Sequence, residues 1–343
     1  RSNAFDTVAE ECRAVRERVG INEIHNFGKY LVSGPNAVSW LNRIMANRVP
    51  DVGRVTLTPM LSPRGRIIGD FTMARIGTET VQLTASYAAQ NYHMRWFLSQ
   101  LQDGVSIENV SNGLLGFQIA GPSARALLGR VLERDVSRAA IPFMSVHHAE
   151  IGAIPVRVQR LSYTGDLGYE IYCDAAHQVA LYHALAEAGE DLGMAPFGMR
   201  AMMSLRLEKF FGSWLREFKP DYTPAETGLD RFIDWGKNDF IGRDAVLRER
   251  SEPPKRNLAA LLVETGNADA VGWEPVFQKD AVVGFVTSGG YAHYAQKSVA
   301  LALIPADEAR AGAEFEIEIL GDRCPAVLTE TPLVDADGAR MRG

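Results

Sequence analysis

The segment from Tyr163 to Tyr172 joins a glycine-bounded turn to a strand that carries a carboxylate. Side chains of a strand alternate between two faces, so Glu170 and Tyr172 are predicted on one face and Tyr169 on the other. A carboxylate offers two parallel acceptors, and these match the ring N–H and exocyclic amine of a pterin. The alternative is that Glu170 lies on a solvated strand face, as most strand carboxylates do.

A second polar pattern falls on a predicted helix from 196 to about 210. Arg200, Ser204 and Glu208 recur at intervals of four residues, which places them on one stripe of the helix. This stripe could face a ligand, or it could be the solvated side of an amphipathic helix.

Composition narrows the class of protein. The chain has 343 residues, of which 46% are hydrophobic, and a net charge of −6, so a polyanionic partner such as nucleic acid is not expected. No apolar stretch is long enough to span a membrane. The three cysteines lie far apart without metal-ligand spacing, so neither a disulfide framework nor a metal site is predicted. A reducing compartment is expected, either the cytoplasm or the mitochondrial matrix of a eukaryote.

The sequence lacks the common motifs of nucleotide-binding proteins and of hydrolases. The sequence lacks the G-x-G-x-x-G fingerprint and the phosphate-binding P-loop, so no nucleotide site is predicted. It also lacks the G-x-S-x-G and H-E-x-x-H motifs of serine hydrolases and zinc proteases.

The elements that must position these residues follow from turn signals and periodicity. A strand, a Gly-Pro step and a helix occur twice, around Gly34 and Gly121, which suggests two related α+β units. Residues 62–65 predict a hairpin turn, and helices are predicted at about 88–101 and 175–192. A proline-containing linker at 251–256 precedes short strands that predict a small antiparallel β-barrel or sandwich.

Taken together, these segments resemble the glycine-cleavage T-protein family, and most closely the C-terminal folate domain of dimethylglycine and sarcosine dehydrogenases. The resemblance covers nearly the whole chain. The matching segments keep the family's order: 14–20, 27–29, 57–61, 65–70, 92–97, 163–172, 204–208, 221–224, 240–243 and 287–291.

The resemblance implies an α+β fold in which three units form a ring around folate. The expected units are a discontinuous folate-binding α+β domain at 5–50 and 140–250, a second α+β domain at 51–139, and a C-terminal antiparallel β-barrel at 257–343. The two α+β units are expected to be ferredoxin-like.

The resemblance also implies roles for individual residues. Glu170 matches the family's pterin-binding glutamate, and Arg200 looks like the arginine that joins it. Met60 and Leu61 resemble one wall of the folate pocket, and Tyr169 is predicted to contact the folate as well.

One departure from the family concerns proton transfer. T-proteins carry an aspartate at a position where this chain has the stretch 85–93, and His93 is the nearest ionisable residue there. A histidine could serve as acid and base at neutral pH. Equally, His93 could be a hydrogen-bonded structural residue of its helix.

The implied activity is a tetrahydrofolate-dependent transfer that accepts a methylene unit from an amine-derived iminium and gives 5,10-methylenetetrahydrofolate. Two alternatives stay open: a folate-dependent demethylase acting on a sulfonium, ether or amine, and a non-catalytic folate-binding module. Expected partners are folate, a small methylated amine and a flavoprotein domain or subunit, since the chain resembles the folate half of a larger flavoenzyme.

Overall fold

The computed structural model describes residues 1–252 and 254–343, and its strands form two open sheets and a closed barrel. The predicted α+β class with a C-terminal barrel is confirmed. Pro253, within the predicted linker, lies outside the described residues. Within the described ranges, no helix has both the length and the apolar character needed to cross a membrane.

The first sheet has six strands and one apolar face. In spatial order the strands are Met194–Pro196, Val19–Glu23, Leu114–Ala120, Gly168–Asp174, Ile154–Arg160 and Ser145–Ile151. Helices Ala124–Val131 and Gln178–Gly189 supply Leu127, Leu128, Leu181 and Leu185 to the core on that face. The opposite face is therefore left for other contacts.

The second sheet has five antiparallel strands, in the order Val55–Leu61, Ile67–Arg75, Thr80–Ser86, Phe27–Ser33 and Ser106–Asn109. Helices Ala37–Ile44 and Gln90–Ser99 bury Trp40, Leu41 and Phe97 against it. The predicted hairpin turn is confirmed, because Gly65 adopts a φ of +76° and its N–H donates to the Ser62 carbonyl at 2.9 Å.

The barrel closes with six antiparallel strands. Their order is Arg256–Val263, Lys297–Pro305, Ala281–Ala292, Pro275–Gln278, Glu314–Ile319 and Asp322–Thr329. Apolar side chains such as Leu261, Val286 and Ile317 fill its interior. Closure satisfies the strand edges that an open sheet would expose.

The remaining helices connect these units. They are the α-helices Phe5–Glu17, Met199–Glu208, Pro224–Thr227, Arg243–Ser251 and Ala339–Arg342 and the 3₁₀ turns Tyr87–Ala89, Ala175–His177 and Leu229–Phe232. The helices predicted at 88–101, 175–192 and 196–210 are present but shorter. Two of them are preceded by a 3₁₀ turn, which takes up the first residues of the predicted range.

The chain passes from one sheet to the other at points that differ from the predicted domain boundaries. The strand before Gly34 pairs with Thr80–Ser86 in the second sheet, and the strand before Gly121 pairs with Gly168–Asp174 in the first. The predicted domain 5–50 with 140–250 had grouped the strand before Gly34 with Gly168–Asp174. The predicted domain 51–139 had grouped the strand before Gly121 with Thr80–Ser86. Both strands lead into the same Gly-Pro-helix motif, so only long-range pairing distinguishes them. Whether the units fold separately stays a prediction.

A buried ion network joins the N-terminal helix, the turn before Glu170 and the barrel. The Arg16 guanidinium contacts Asp166 and lies 2.6 Å from Glu208, and all three side chains are at most 2% exposed. The other oxygen of Glu208 accepts the backbone N–H groups of Tyr294 and Ala295 at 2.8 and 3.1 Å. These contacts fix the turn that leads into the Glu170 strand.

Arg16→Met should therefore destabilise the protein by about 3–5 kcal/mol, because Glu208 would remain buried without its cation and Asp166 would be left with the partly exposed Arg340 at 3.6 Å. Arg13→Met on the same helix is the control, since the Arg13–Glu10 pair is at least half exposed. It should cost less than about 1 kcal/mol. Urea unfolding measures both, and equal small losses for the two variants would contradict this role of the network.

Candidate functional site

Four polar side chains form one row across the face of the first sheet that lies opposite its helices. Glu170 pairs directly with Gln118 on one neighbouring strand and with Gln159 on the other. Asn22, one strand further, pairs with Gln118. Directly paired residues of antiparallel strands point to the same side, so these four side chains line up.

Glu170 is the centre of this row and is only 5% exposed, which excludes the solvated strand face. Its Oε2 accepts a hydrogen bond of 2.5 Å from the Tyr172 hydroxyl. Burial raises the pKa of Glu170, whereas the Tyr172 hydrogen bond and the positive charge of Lys29 oppose that rise. No hydrogen bond from the described residues reaches Oε1, so this oxygen is free to accept from a ligand.

The amides beside Glu170 lack protein partners. Within the described chain, neither Nε2 of Gln118 nor the two amide atoms of Gln159 make a hydrogen bond, and Asn22 Oδ1 makes none either. Gln118 and Gln159 are at most 1% exposed. Each unsatisfied buried polar group costs about 1–3 kcal/mol, so such groups call for a specific explanation. A polar planar ligand would satisfy them.

Lys29, on the second sheet, is a cation close to Glu170. It is fully buried, and within the described chain its Nζ donates to the Phe27 and Ser111 carbonyls alone, at 3.2 and 3.5 Å. Burial lowers the pKa of Lys29 to about 8, and the negative charge of Glu170 opposes this decrease. At neutral pH the ammonium therefore stays mostly charged and favours the ionised form of Glu170.

Asp70 lies on the same face of the second sheet as Lys29. Lys29 pairs with Thr84, Thr84 pairs with Thr72, and Asp70 is two residues before Thr72 on its strand. Burial raises the pKa of Asp70 to about 6. The described residues place no cation within 4 Å of it. A carboxyl group with this pKa can both take up and release a proton near neutral pH.

A cavity of about 660 Å³ opens between the segment around Trp214 and the barrel. Its walls include Ser86, Trp214, Arg216, Tyr222, Trp273 and Phe285. Ser86 pairs with Phe27, two residues before Lys29, whereas Glu170, Lys29 and Asp70 are not among the lining residues. The volume is in the range of small-molecule sites.

Two predicted folate contacts are not brought together with Glu170. Tyr169 is fully buried in the apolar core on the opposite face of the strand, as side-chain alternation requires. Arg200 is exposed on its helix and lies 3.3 Å from the Ser2 hydroxyl. Their predicted folate contacts have no support in this geometry.

Met60 and Leu61, predicted as a pocket wall, are both fully buried. Met60 belongs to the core of the second sheet. Leu61 packs in a cluster with Phe218 and Tyr222, and Tyr222 lines the cavity. Leu61 thus supports the cavity wall from behind.

His93 is fully buried among aromatic rings. Its ring centroid lies 4.6 Å from that of Phe71 and 5.4 Å from that of Trp214, and its Nδ1 is 3.3 Å from the Tyr30 hydroxyl oxygen. Burial lowers the pKa of His93 to about 4, so the ring is neutral at neutral pH. Since Trp214 lines the cavity, His93 lies one layer behind its wall, and its acid–base role stays a prediction.

Asp70, Lys29 and the two glutamines were not identified as site residues from the sequence. The available signal was polar residues at every second position of otherwise buried strands, as in Glu170 with Tyr172 and Arg157 with Gln159. Asp70 is a lone carboxylate in the apolar strand Ile67–Arg75.

Comparison with protein families covers almost the whole chain. Residues 1–237 match the family model described as GCVT N-terminal domain. Residues 256–335 match the glycine cleavage T-protein C-terminal barrel domain. The second match coincides with the closed barrel seen in the structure.

Individual relatives agree with the family models. Mitochondrial dimethylglycine dehydrogenase of Mus musculus is 36% identical over 100% of this chain, which spans only 40% of that relative's length. Aminomethyltransferase of Geobacillus sp. (strain WCH70) is 30% identical, with 96% of this chain and 90% of the relative covered.

A solved structure supports the fold. Aminomethyltransferase T from Bartonella henselae superposes with a TM-score of 0.87 at 22% identity, over 96% of this chain and 90% of that one. Together with the two family models, these relatives confirm the resemblance noted in the sequence. The chain belongs to the glycine cleavage T-protein family and is an aminomethyltransferase-like enzyme.

Proposed function

We propose that this chain accepts a methylene unit from an amine-derived iminium of the dimethylglycine or sarcosine type and transfers it to tetrahydrofolate, giving 5,10-methylenetetrahydrofolate. The observation that carries the proposal is the buried Glu170 carboxylate between two glutamines whose Nε2 groups have no hydrogen-bond partner among the described residues. The relatives named aminomethyltransferase and dimethylglycine dehydrogenase support the reaction class.

Glu170 is suited to bind the pterin head. A tetrahydropterin presents its N3–H and 2-amino group side by side, and an ionised carboxylate accepts both in a bidentate arrangement. Tyr172 uses one lone pair of Oε2 and fixes the orientation of the carboxylate. The charge of Lys29 favours the ionised state that can accept two donors.

Asp70 is the residue that we assign to proton transfer. Bound tetrahydrofolate would supply N5 and N10 as the nucleophiles for the one-carbon unit. Asp70 would take up the proton released at the attacking nitrogen and return one as the donor amine leaves. Its pKa of about 6 suits both directions of transfer, whereas the neutral His93 ring is a weak base.

The cavity walls would protect the reacting carbon from water. An iminium is hydrolysed readily, so transfer requires that both reactants meet in an enclosed site. Trp214, Tyr222, Trp273 and Phe285 make much of the wall apolar and aromatic.

We further propose that a flavoprotein domain or subunit generates the donor. Support comes from the dimethylglycine dehydrogenases, of which this chain spans 40%. Location in the cytoplasm or the mitochondrial matrix stays a prediction.

Calorimetric titration with tetrahydrofolate tests the role of Glu170. The wild type should bind saturably, and Glu170→Gln should bind about 10- to 100-fold more weakly because a charged acceptor is lost. Glu150→Gln is the control, since Glu150 is exposed on the edge strand of the same sheet. Absence of saturable binding by the wild type would refute the proposal, as would equal affinities of the two variants.

Analysis of the folate product then distinguishes the reaction. With a dimethylglycine or sarcosine donor and a flavoprotein that oxidises it, 5,10-methylenetetrahydrofolate is expected. Formation of 5-methyltetrahydrofolate would instead identify direct demethylation.

Asp70→Asn should lower kcat by about 100-fold or more while leaving tetrahydrofolate affinity within a few-fold of the wild type. For the wild type, kcat should fall as the pH decreases through about 6, where Asp70 becomes protonated. A profile that falls only near pH 4, together with full activity of Asp70→Asn, would assign the step to His93 instead.

The same substitution should stabilise the protein. The pKa of Asp70 rises from 3.8 to about 6 on folding, so its contribution favours the native state below pH 3.8 and is lost as the pH rises through 6. At pH 8, Asp70→Asn should therefore gain about 1–3 kcal/mol in the free energy of unfolding, with no gain below pH 4. Urea unfolding against pH checks this, with the exposed Asp51→Asn as control; a pH-independent effect would contradict the assigned ionisation.

A further inference from the structure

Gln118 and Gln159 flank Glu170 on both sides. We infer that their amides donate hydrogen bonds to the two acceptors at the ends of the pterin edge, and so select the 4-oxo form of the ring. This inference rests on the proposed function, and it assigns a specificity role to two residues beyond the carboxylate.

The positions of the two amides are fixed by strand pairing. Glu170 is in direct register with Gln118 and with Gln159, and adjacent strands lie roughly 5 Å apart. The three side chains therefore span roughly 10 Å along one line. This length suits the hydrogen-bonding edge of a bicyclic heterocycle.

Both glutamines have a free donor. Nε2 of Gln118 makes no hydrogen bond to the described residues, and in Gln159 neither amide atom does. Exchanging the oxygen and nitrogen positions of Gln159 would still leave one unpaired N–H donor. Because both side chains are at most 1% exposed, bulk water does not replace the missing partners.

The donors and acceptors along the pterin edge are complementary in order to those of the row formed by Gln118, Glu170 and Gln159. Along a tetrahydropterin, O4 accepts, N3–H donates, the 2-amino group donates and N1 accepts. Along the sheet, one glutamine donates, the two oxygens of Glu170 accept and the other glutamine donates. A carboxylate alone would bind any guanidinium-like group, whereas the flanking donors add a requirement for acceptors on both sides.

Replacing the 4-oxo group by an amine would place a donor opposite the glutamine donor and would also remove the N3–H that Glu170 accepts. A buried donor without an acceptor is strongly unfavourable, so a site that reads O4 rejects such an analogue. The wild type should bind tetrahydrofolate at least about 10-fold more tightly than its 4-amino-4-deoxy analogue.

Gln118→Met and Gln159→Met test the inference, because methionine has a similar length and no donor. Calorimetric titration with the two ligands should show weaker tetrahydrofolate binding in each variant, by about 3- to 20-fold. In the variant whose glutamine faces O4, the preference for tetrahydrofolate should decrease by about 3- to 20-fold, and the part that remains reflects the N3–H contact with Glu170. Neither variant should unfold more easily, since each loses a buried polar group that had no partner.

Gln82→Met is the buried control. Gln82 is fully buried on the second sheet, but its Nε2 already donates to Thr84 at 3.4 Å. The ligand preference of this variant should equal that of the wild type.

The outcomes separate this inference from the proposed function. If both row variants keep the wild-type preference for tetrahydrofolate, the specificity role is wrong, although the Glu170 result still stands. If the wild type binds neither ligand, the proposed function itself fails. A decreased preference in one row variant, with the control unchanged, supports the inference.

Discussion

Everything in the site depends on a carboxylate that is held inside the protein. Burying a charge is unfavourable unless hydrogen bonds and a countercharge accompany it. Glu170 has the Tyr172 hydroxyl and the nearby Lys29 ammonium, but no direct ion pair within the described chain. It therefore retains acceptor capacity that a fully paired carboxylate would lack, and a ligand with two donors gains from it.

The surrounding fold makes this arrangement possible. One face of the first sheet packs against two helices, and the stability gained there offsets a polar opposite face. Gly116 lets the neighbouring strand approach closely, since a Cβ at that position would lie 1.9 Å from the Ile171 carbonyl oxygen. The Arg16 network fixes the turn that precedes the Glu170 strand. The Glu170 carboxylate and the Lys29 ammonium thus come from two different sheets and are brought together by tertiary packing.

Turns, strands and the faces of strands depend on neighbouring residues, and these features were predicted from local sequence patterns. Turn residues predicted the hairpin at 62–65, short apolar runs predicted the barrel strands, and strand alternation placed Glu170 and Tyr172 together. The same alternation places Tyr169 on the face opposite Glu170, and the structure buries Tyr169 there. Lys29 could not be assigned from spacing, because its proximity to Glu170 arises from contact between strands far apart in sequence. Asp70 shows in the sequence only as a lone carboxylate in an apolar strand. The sheets that the strands before Gly34 and Gly121 join differed from expectation for the same reason.

The most direct test of this account is a crystal structure of the protein with tetrahydrofolate or a stable reduced analogue. Both Glu170 oxygens should lie about 2.7–3.0 Å from N3 and the 2-amino nitrogen of the pterin, with Asp70 on the side of the reacting nitrogens. A pterin bound elsewhere, with Glu170 contacting only Tyr172, would contradict it.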